Sequence, residues 1–444
     1  MTGSAREVAL VTLTACEKQG AWSDLALKKN IRAARLDARD AALATRLCFG
    51  VQQNQMLLDF YLSKFSTVKL ERIEHKVLNA LRLGVYQIAF LTKVPVSAAV
   101  NESVELARRY SRNPRSPGLV NGILRSVARN AERLPVIEEK DPAAYLSIRY
   151  SHPLWLVQEF LTVLGPAETE ALLDADNGKP STTAQVNVHR FTMKEVAESL
   201  LAQGVEAKPH PWMPDCLLLQ GTGDLESLQA FQEGAFYIQD PAARAAVLAA
   251  SPEPGMRVLD ACAAPGGKSF ACAIAMGDRG EVLSCDIHAH KKALIDAGAR
   301  RLGLTSIRSA VQDAKVRRED WTEGFDLVLA DVPCSGLGII RKKPDIRYKD
   351  PAPLEGLPAI QRAILDNVSG YVRPGGVLLY STCTLLEREN GAVVDGFLAA
   401  HPEYAPEPFT LPGPAGGGPG GRVALWPHTH DTDGFFIAKL RRHP

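Results

Sequence analysis

The sequence predicts a multidomain protein, with an all-α bundle over residues 1–134, a small α+β subdomain over 135–236 and an α/β domain over 237–444. Apolar residues recur at three- and four-residue spacing in the first segment, which is the period of amphipathic helices. Helix and strand patterns are mixed in the second segment. In the third, short apolar strands alternate with helical stretches, which indicates a doubly wound, parallel sheet covered on both faces.

The first segment is both helical and basic. RDAALATRLCFGVQQNQMLLDFYL and HKVLNALRLGVYQIAFL carry the helical pattern, Pro95 and Ser97 mark a later helix entry, and Arg125 and Arg129 lie one turn apart. Residues 1–134 hold 21 Lys and Arg against 11 Asp and Glu, although the whole chain has a net charge of only +1. Such an excess predicts a polyanionic partner, and the alternative is a solvated basic surface without a partner.

The composition is that of a soluble globular protein, with 46% hydrophobic and 23% charged residues. No run of 18 apolar residues predicts a membrane span, and the amphipathic N-terminus lacks the features of a secretory signal. We therefore expect a cytoplasmic protein whose eight cysteines are reduced, and the lack of a CxxC pair argues against a structural zinc site.

The predicted strands can be placed along the second and third segments. TTAQVNVH and CLLLQGTG are strands on either side of the helix MKEVAESLLAQG. RVLDAC, GEVLSCD, IRSAVQD, FDLVLADVP and GGVLLYSTC form the larger sheet, and GFFIAKLRR is a final strand at its other side. The Gly- and Pro-rich stretch 411–422 is predicted to be a flexible surface loop, and it is not a P-loop because no Gly-Lys-Ser/Thr ends it.

A tight, glycine-rich turn follows the first strand of the larger sheet, in VLDACAAPGGKSF at residues 258–270. Glycines let the backbone approach a ligand closely, and the helix that follows offers unpaired N–H groups. The turn lacks the GxGxxG pattern of dinucleotide binders, and no pyrophosphate cradle is evident. A ligand with a nucleoside and a carboxylate but no phosphates suits it better, so we predict S-adenosylmethionine (SAM) as the cofactor.

Aspartates follow the next three strands, at Asp286, Asp313 and Asp331. A carboxylate after the second strand can accept hydrogen bonds from ribose hydroxyls, and Asp313 can meet the adenine edge. Single acidic residues after strands are usually caps or turn residues, but three at one sheet edge favour a shared pocket. The sulfonium cation of SAM also tolerates nearby carboxylates.

Two thiols are predicted at the same edge, Cys334 in DVPCSG and Cys383 in STCT. Two thiols beside a methyl donor suggest attack on a pyrimidine. A thiolate adds to C6 of cytosine, C5 takes the methyl group, and loss of the C5 proton and of the thiol completes the cycle. The other thiol would assist adduct breakdown as an acid, a base or a positioning group. The spacing of the two thiols does not decide which one attacks.

Positive charge near a thiol increases its thiolate fraction. Lys268 is a candidate for that role, as are Arg341, Lys342 and Lys343 in IIRKKPDIRYKD. For that basic cluster, contact with a phosphate backbone and a solvated loop are the alternatives. HTHDTDGFF is predicted to be a loop near the site rather than a metal site. Three further cysteines are interpreted as core thiols, namely Cys262, Cys272 and Cys285.

These motifs resemble those of the RNA cytosine-5 methyltransferases of the NOL1/NOP2/Sun family. CAAPGGKS is similar to the family's cofactor loop, although Ser269 stands where Thr is common, and DVPCSG and STCT resemble its two cysteine motifs. The resemblance implies that Cys383 attacks and Cys334 serves product release, whereas DNA cytosine-5 enzymes attack from a Pro-Cys motif, which would point to Cys334. Lys268 and Asp331 join the two cysteines as implied catalytic residues. The implied cofactor contacts are Cys262, Ala263, Ala264, Pro265, Gly266, Gly267, Lys268, Asp286, Asp313 and Asp331.

The first segment resembles a NusB-type helical domain through RDAALATRLCFGV, LRLGVYQIAFLTKVP, AAVNESVELAR and GLVNGILR. That domain, joined to this Rossmann-like catalytic half, resembles the members of the family that methylate bacterial 16S ribosomal RNA. We therefore expect a monomeric enzyme that methylates C5 of a cytidine in unassembled or partly assembled 16S RNA, gripped by the first two segments. One alternative is cytosine-5 methylation of transfer RNA or another ribosomal site, and another is a non-catalytic RNA-binding assembly factor.

Overall fold

The computed structural model describes residues 3–19 and 21–444, and the chain forms two compact units. The helical unit comprises the described residues up to Gly178 together with Ile340–Lys349. The sheet unit comprises Lys179–Ile339 and Asp350–Pro444. The structure thus divides the chain differently from the three predicted segments, because helices beyond residue 134 pack with the helical unit and a short later segment returns to it.

The helical unit contains nine helices within the described residues, and none of the chain's described helices is both long and apolar enough to span a membrane. Helix α5 lies at the centre of the unit, since its residues 77–87 are all buried, and it packs against α1, α6 and α7. The helices are α1 (Ala5–Gln19), α2 (Ser23–Ala34), α3 (Ala38–Gln53), α4 (Gln55–Phe65), α5 (His75–Phe90), α6 (Val96–Tyr110), α7 (Ser116–Arg129), α8 (Pro142–Tyr150) and α9 (Leu154–Asp176).

Residues 340–349 are held in the helical unit by buried polar contacts. Arg347 is fully buried and donates hydrogen bonds to the backbone oxygens of Tyr150 and Ser151, at 3.3 and 3.2 Å. It also donates to Asn177 Oδ1 at 2.8 Å. These carbonyls lie at the C-terminal end of α8, where a helix leaves its last acceptors without internal partners. Arg347 therefore completes a helix end from a distant part of the sequence.

The basic cluster of Arg341, Lys342 and Lys343 belongs to this segment, and Arg341 is more buried than either alternative, a solvated loop or a phosphate contact, implies. Arg341 is only 7% exposed. The Lys343 ammonium lies 3.7 Å from a carboxylate oxygen of Asp24 and 5.3 Å from the centre of the Trp22 ring. An ion pair and an aromatic ring are partners that let cations pack within a fold. These contacts serve the packing of the helical unit and give no support to phosphate binding by this cluster.

The sheet unit begins with a four-stranded antiparallel sheet in the order β2–β3–β1–β4. Helix α10 starts with a capping box formed by Thr192 and Glu195, and it buries Val196 and Leu200 against the sheet. The two predicted strands and the predicted helix are confirmed, while two more strands complete the sheet. The elements are β1 (Thr182–Val186), α10 (Met193–Ala202), β2 (Glu206–Pro209), β3 (Cys216–Gln220), α11 (Gln229–Gln232) and β4 (Phe236–Ile238).

The larger sheet has the order β10–β14–β9–β8–β5–β6–β7, with β13 paired to β14. Strands β5 to β9 are parallel, β14 runs antiparallel to β9, and β10 and β13 run antiparallel to β14. All six predicted strands are present. The strands of this sheet are β5 (Arg257–Asp260), β6 (Glu281–Asp286), β7 (Ile307–Val311), β8 (Phe325–Asp331), β9 (Val372–Thr382), β10 (Tyr404–Pro406), β13 (Arg422–Leu425) and β14 (Phe435–Arg442). A separate two-stranded sheet is formed by β11 (Phe409–Thr410) and β12 (Gly417–Gly418).

Both faces of the larger sheet are buried, as the apolar strands predict. Val258 and Leu327 belong to one buried cluster, whereas their neighbours Leu259 and Val328 belong to the other. This alternation follows from side chains pointing to opposite faces at successive strand positions. The helices of this part are α12 (Pro241–Ala250), α13 (Gly267–Ala275), α14 (Ala289–Leu302), α15 (Leu357–Ser369), α16 (Gly391–Ala400) and α17 (Pro427–His430).

The Gly- and Pro-rich stretch 411–422 is not the flexible loop that its composition predicts. β11 and β12 pair on either side of its first half. Leu411 and Ala415 are 4% and 5% exposed and belong to the same buried cluster as Leu425. The buried side chains of Leu411 and Ala415 thus hold a stretch whose other residues are mostly Gly and Pro.

Candidate active site

The site lies where the order of the parallel strands reverses. β8 and β5 are neighbours, and the chain proceeds from β5 to β7 on one side and from β8 to β9 on the other. In such a sheet a crevice opens at the carboxyl ends of the strands beside the point of reversal. The predicted site residues come from these ends, because the loop 261–267 follows β5 while Asp286, Asp313, Asp331 and Cys383 end or follow the next four strands.

Backbone hydrogen bonds, one within the loop and one to β6, hold the loop after β5 in place. Gly266 N donates to Ala263 O at 2.7 Å, and Ala263 N donates to Cys285 O on β6 at 2.7 Å. Gly266 has φ of 111°, and a Cβ there would lie 2.5 Å from the Phe270 ring, so only glycine fits. Helix α13 begins at the next residue, Gly267, so the unpaired N–H groups of its first turn follow the loop directly.

Two of the predicted aspartates are ordered by nearby donors. Asp286 ends β6 and is 7% exposed, its Oδ1 accepts from His288 N at 2.9 Å, and its Oδ2 lies 3.5 Å from Lys291 Nζ. Asp313 follows β7, and its Oδ1 accepts from Lys315 N at 2.9 Å. Asp313 also lines a small, mainly apolar cleft at the ends of β5 and β6, together with Leu259, Ala261, Cys285 and Trp321.

These groups fit SAM by their chemistry. The carboxylate of Asp286 stands at the strand end where ribose hydroxyls are bound in related sheets. The N–H groups at the start of α13 suit the carboxylate of the methionine part. SAM has no phosphates, in keeping with the absence of a GxGxxG sequence from the loop.

Asp260, the last residue of β5, is a site residue that the sequence pattern did not indicate. It is fully buried, its Oδ2 accepts from Ser269 Oγ at 2.7 Å, and Ser284 Oγ lies 2.7 Å from the same hydroxyl. Burial raises the pKa of Asp260 to about 6, although the hydrogen bond from Ser269 opposes this. The signal that could have found it is the one that marked the other aspartates, a carboxylate at a strand end in VLDAC.

An ion pair stands between the loop and β8. Lys268 Nζ lies 2.7 Å from Asp331 Oδ2, and Ser381 Oγ on β9 donates to Asp331 Oδ1 at 2.7 Å. Lys268 is only 8% exposed, and its ammonium lies 5.0 Å from the centre of the Phe435 ring. Burial alone would lower the pKa of Lys268, but the charge and hydrogen bond of Asp331 outweigh burial and raise it. Lys268 therefore stays positively charged.

The two predicted cysteines lie together. Cys334 Sγ and Cys383 Sγ are 3.3 Å apart, and both are free, partly exposed thiols. The hydrogen bond with Cys383 and burial raise the pKa of Cys334 well above its ordinary value, and the charge of Glu389 adds to this effect. Cys383 in turn interacts electrostatically with Lys268. Cys334 thus lies beside a negative charge, and Cys383 beside a positive one.

Two glycines fix the loops that carry these thiols. Gly338 N donates to Cys383 O at 2.9 Å, and Gly434 N donates to Gly338 O at 2.8 Å. A Cβ on Gly338 would lie 1.9 Å from Gly434 O, so the backbones meet too closely for any side chain. Gly434 belongs to HTHDTDGFF, of which only residues 431–434 form a loop beside the site, because 428–430 lie in α17 (Pro427–His430) and 435–436 lie in β14.

The remaining cysteines of the sheet unit do not join this pair. Cys272 and Cys285 are 0% and 1% exposed within the two faces of the core, as predicted. Cys262 lies in the cofactor loop and is half-buried. The site thus brings together the cofactor loop, the strand-end aspartates, Lys268 and the thiols of Cys334 and Cys383.

Comparison with known proteins agrees with this geometry. A family profile described as 16S rRNA methyltransferase RsmB/F matches residues 246–441, the NusB family matches 3–129, and an RsmF/B-like ferredoxin-like domain matches 152–226. The probable ribosomal RNA small subunit methyltransferase B of Bacillus subtilis is 37% identical over 455 residues, which cover 99% of each chain. This chain belongs to the RsmB/F methyltransferase family.

Other relatives of this RsmB/F-family member extend the comparison. The ribosomal RNA small subunit methyltransferase B of Klebsiella pneumoniae subsp. pneumoniae is 32% identical, with 91% of each chain covered. The crystal structure of PH0851 superposes with a TM-score of 0.82 over 100% of both chains, at 25% identity. Membership of the family confirms the predicted fold class, with its NusB-like, α+β and Rossmann-like parts, and the predicted dependence on SAM.

Proposed function

We propose that this chain transfers a methyl group from SAM to C5 of a cytidine in 16S ribosomal RNA, with Cys383 as the nucleophile. The observation that carries the proposal is the pair of sulfur atoms 3.3 Å apart, at the same strand ends as the Lys268–Asp331 ion pair. A methyl donor, a nucleophilic thiol and a second thiol are the groups that substitution at C5 of a pyrimidine needs. The names of the Bacillus and Klebsiella relatives support small-subunit RNA as the substrate.

Cys383 is the better nucleophile of the two on electrostatic grounds. Cys334 faces the negative charge of Glu389, which disfavours a thiolate there, whereas Cys383 faces the positive charge of Lys268. The thiolate, not the thiol, attacks. This assignment agrees with the role that the family resemblance implies for the later cysteine motif.

The bonds formed and broken in the proposed reaction balance in atoms and electrons. Attack forms the Sγ–C6 bond and moves the C5=C6 π electrons to C5 and into the ring. The positive charge of Lys268 stabilises the negative charge that develops there. SAM, when bound, supplies the methyl group that C5 takes. A solvent base then removes the C5 proton, the C5–H electrons restore the double bond, and the Cys383 sulfur leaves as a thiolate. Cys334, 3.3 Å away, is placed to exchange a proton during this release.

The target cytidine must be unstacked before the sulfur can reach C6, because ring faces are covered in a helix. RNA loops and single strands make this easier than a duplex. We therefore propose a cytoplasmic monomer that acts on 16S RNA before or during subunit assembly. The cofactor contacts of this proposal are the loop residues 262–268 with Asp286, Asp313 and Asp331.

The helical unit offers a surface that supports RNA binding, here called the lysine groove and lined by Lys18, Lys29 and Lys76 with Trp22 and Leu25. Trp22 and Leu25 are 41% and 65% exposed. Within the described residues none of the three lysines has an acidic side chain as an ion-pair partner. Cations beside an exposed aromatic ring are the elements that bind single-stranded nucleic acid.

Two cysteine variants test the proposed chemistry. Cys383→Ala should abolish methyl transfer to RNA while calorimetric SAM binding is unchanged. Cys334→Ala should trap a covalent RNA adduct, visible as a slowly migrating band in a denaturing gel. Cys16→Ala, which removes a half-buried thiol of the helical unit, is the matched control and should behave as wild type. Normal turnover by Cys383→Ala would refute the assignment, and an adduct trapped by Cys383→Ala instead would reverse the two roles.

The substrate is tested in cells. Bisulfite sequencing of RNA from a deletion strain should show one cytidine of 16S RNA unmethylated, and the wild-type gene but not the Cys383→Ala gene should restore it. Loss of methylation at a transfer RNA or another ribosomal site would favour the first alternative. Restoration of growth or assembly by the Cys383→Ala gene, without any lost methyl group, would favour a non-catalytic assembly factor.

A further inference from the structure

A buried glutamate joins the loops of the two thiols. Glu389 is 0% exposed, and its Oε2 accepts a hydrogen bond from Ser335 N, the residue after Cys334, at 2.9 Å. Its Oε1 lies 3.5 Å from the hydroxyl of Thr384, the residue after Cys383. The hydroxyls of Ser335 and Thr384 are themselves 2.7 Å apart. One carboxylate therefore contacts the residue that follows each cysteine.

Gln361 on α15 completes this arrangement. Its Nε2 donates to Glu389 Oε2 at 2.8 Å and to Pro333 O at 3.1 Å. The peptide groups on both sides of Cys334 are thus bound, one by Gln361 and the other by Glu389. Gln361 is 0% exposed, and a buried carboxylate with several donors is held in one place. The sulfur of Cys334 consequently has little freedom to move away from Cys383.

Three titratable groups lie close to Cys334 on the elements packed against it. Cys383 stands at the end of β9, Glu389 precedes α16, and Tyr380 on β9 donates from its hydroxyl to Glu389 O at 2.6 Å. Of these three groups, Glu389 is the carboxylate, and its charge acts on Cys334. The nearby cation, Lys268, acts on Cys383 instead.

We propose that Glu389 is a positioning residue of the thiol pair, which holds both cysteine loops at reacting distance and places its negative charge beside Cys334. The positional part rests on the proposed function, because it gives the spacing of the thiols a role in adduct formation and release. The electrostatic part does not, because it concerns the free protein. Glu389 contacts the residues that follow the two cysteines, so it acts through the cysteines.

The electrostatic part is tested by alkylation in a Cys383→Ala background, where Cys334 is alone. Iodoacetamide labelling of the Cys334 peptide is followed by mass spectrometry across a pH series in the full chain. Glu389→Gln keeps the shape but removes the charge, so labelling near pH 8 should become about three- to tenfold faster and its profile should move to lower pH. Glu387→Gln changes an exposed carboxylate on the same turn and should leave the profile unchanged. An unaltered profile in Glu389→Gln overturns the electrostatic part, whatever the reaction is.

The positional part is tested with both cysteines present. Glu389→Gln should lower kcat at least tenfold with little change in KM for RNA, and it should accumulate the adduct that Cys334→Ala traps. If Cys334→Ala traps no adduct and Cys383→Ala remains active, the proposed function fails. If those variants behave as proposed while Glu389→Gln turns over normally, the inference about Glu389 fails.

Thr384→Val keeps the test decisive should Glu389→Gln not fold. Valine preserves the shape of threonine, keeps the charge of Glu389 and removes the hydroxyl that links the two loops through Ser335 and Glu389. It should leave the alkylation profile of Cys334 unchanged and lower kcat about tenfold, because only the spacing of the loops is affected. Normal kcat in Thr384→Val would refute a role of this bridge in setting the thiol pair.

Discussion

Replacing Asp260 by asparagine should change how the stability of the protein depends on pH. Asp260 is fully buried, and burial raises its pKa from 3.8 to about 6 in the folded protein. Because the folded state binds this proton more tightly, the group contributes stability that is complete below pH 3.8 and is lost as the pH rises through about 6. Asparagine cannot ionise, so the variant should not lose this contribution.

The size of the effect follows from the shift. About two pKa units correspond to roughly 3 kcal/mol over the whole window, at about 1.4 kcal/mol per unit. Between about pH 4.5 and about pH 7.5, Asp260 should lose roughly 2 kcal/mol of this stabilisation. The remainder is already lost at the lower pH, because the unfolded aspartate is mostly ionised there. The free energy of unfolding of Asp260→Asn minus that of wild type should therefore be about 2 kcal/mol larger at the higher pH than at the lower pH.

Urea unfolding of both proteins without ligand, at each pH, measures this difference. Asp278→Asn is a control of opposite sign. Asp278 accepts hydrogen bonds from Thr305 and Ser306, which outweigh the effect of burial and lower its pKa, so its stabilising effect is present above the unfolded pKa and lost on acidification. Equal pH dependence in wild type and Asp260→Asn would refute the raised pKa.

Three further outcomes are expected. Gly338→Ala should destabilise the sheet unit by about 1–3 kcal/mol in thermal unfolding, because its Cβ would lie 1.9 Å from Gly434 O, whereas Gly356→Ala, with nothing within 4 Å, should be tolerated. Lys268→Met should lower kcat for methyl transfer by about 10²-fold or more, because Asp331 loses its buried cation, and a kcat within a factor of three of wild type would contradict that role. In the lysine groove, replacing two lysines by glutamine should reduce the salt dependence of RNA binding by about 1.4 in log–log slope, and an unchanged slope would place the RNA elsewhere.

The strand-end residues could be predicted because their positions depend on local sequence. An apolar run followed by Asp or by Cys marks the end of a strand, and parallel strands bring such ends to one edge. Asp286, Asp331 and Cys383 are therefore at the edge where the pattern puts them. Asp260 has the same signal but is followed immediately by the cofactor loop, so the loop motif masked its separate role.

Burial of single charged residues could not be predicted in the same way. Glu387, Arg388 and Glu389 form one charged run, yet Glu389 is fully buried while Glu387 is exposed. The difference arises from Ser335 N and Gln361, donors that are distant in the sequence. Arg347 is a parallel case, because the carbonyls that receive its hydrogen bonds belong to residues almost 200 positions earlier.

The return of residues 340–349 to the helical unit has a practical meaning for anyone who wishes to dissect this enzyme. A fragment starting at residue 179 would retain Arg347 but discard the carbonyl oxygens of Tyr150 and Ser151 that it binds. The guanidinium of Arg347, which is buried in the full chain, would then face solvent thirteen residues after Cys334. The activity of N-terminal truncations should accordingly be compared with that of full-length chains that carry surface substitutions. Chimaeras of the two halves from different homologues should fold only when residues 340–349 and the helices of the helical unit come from the same parent.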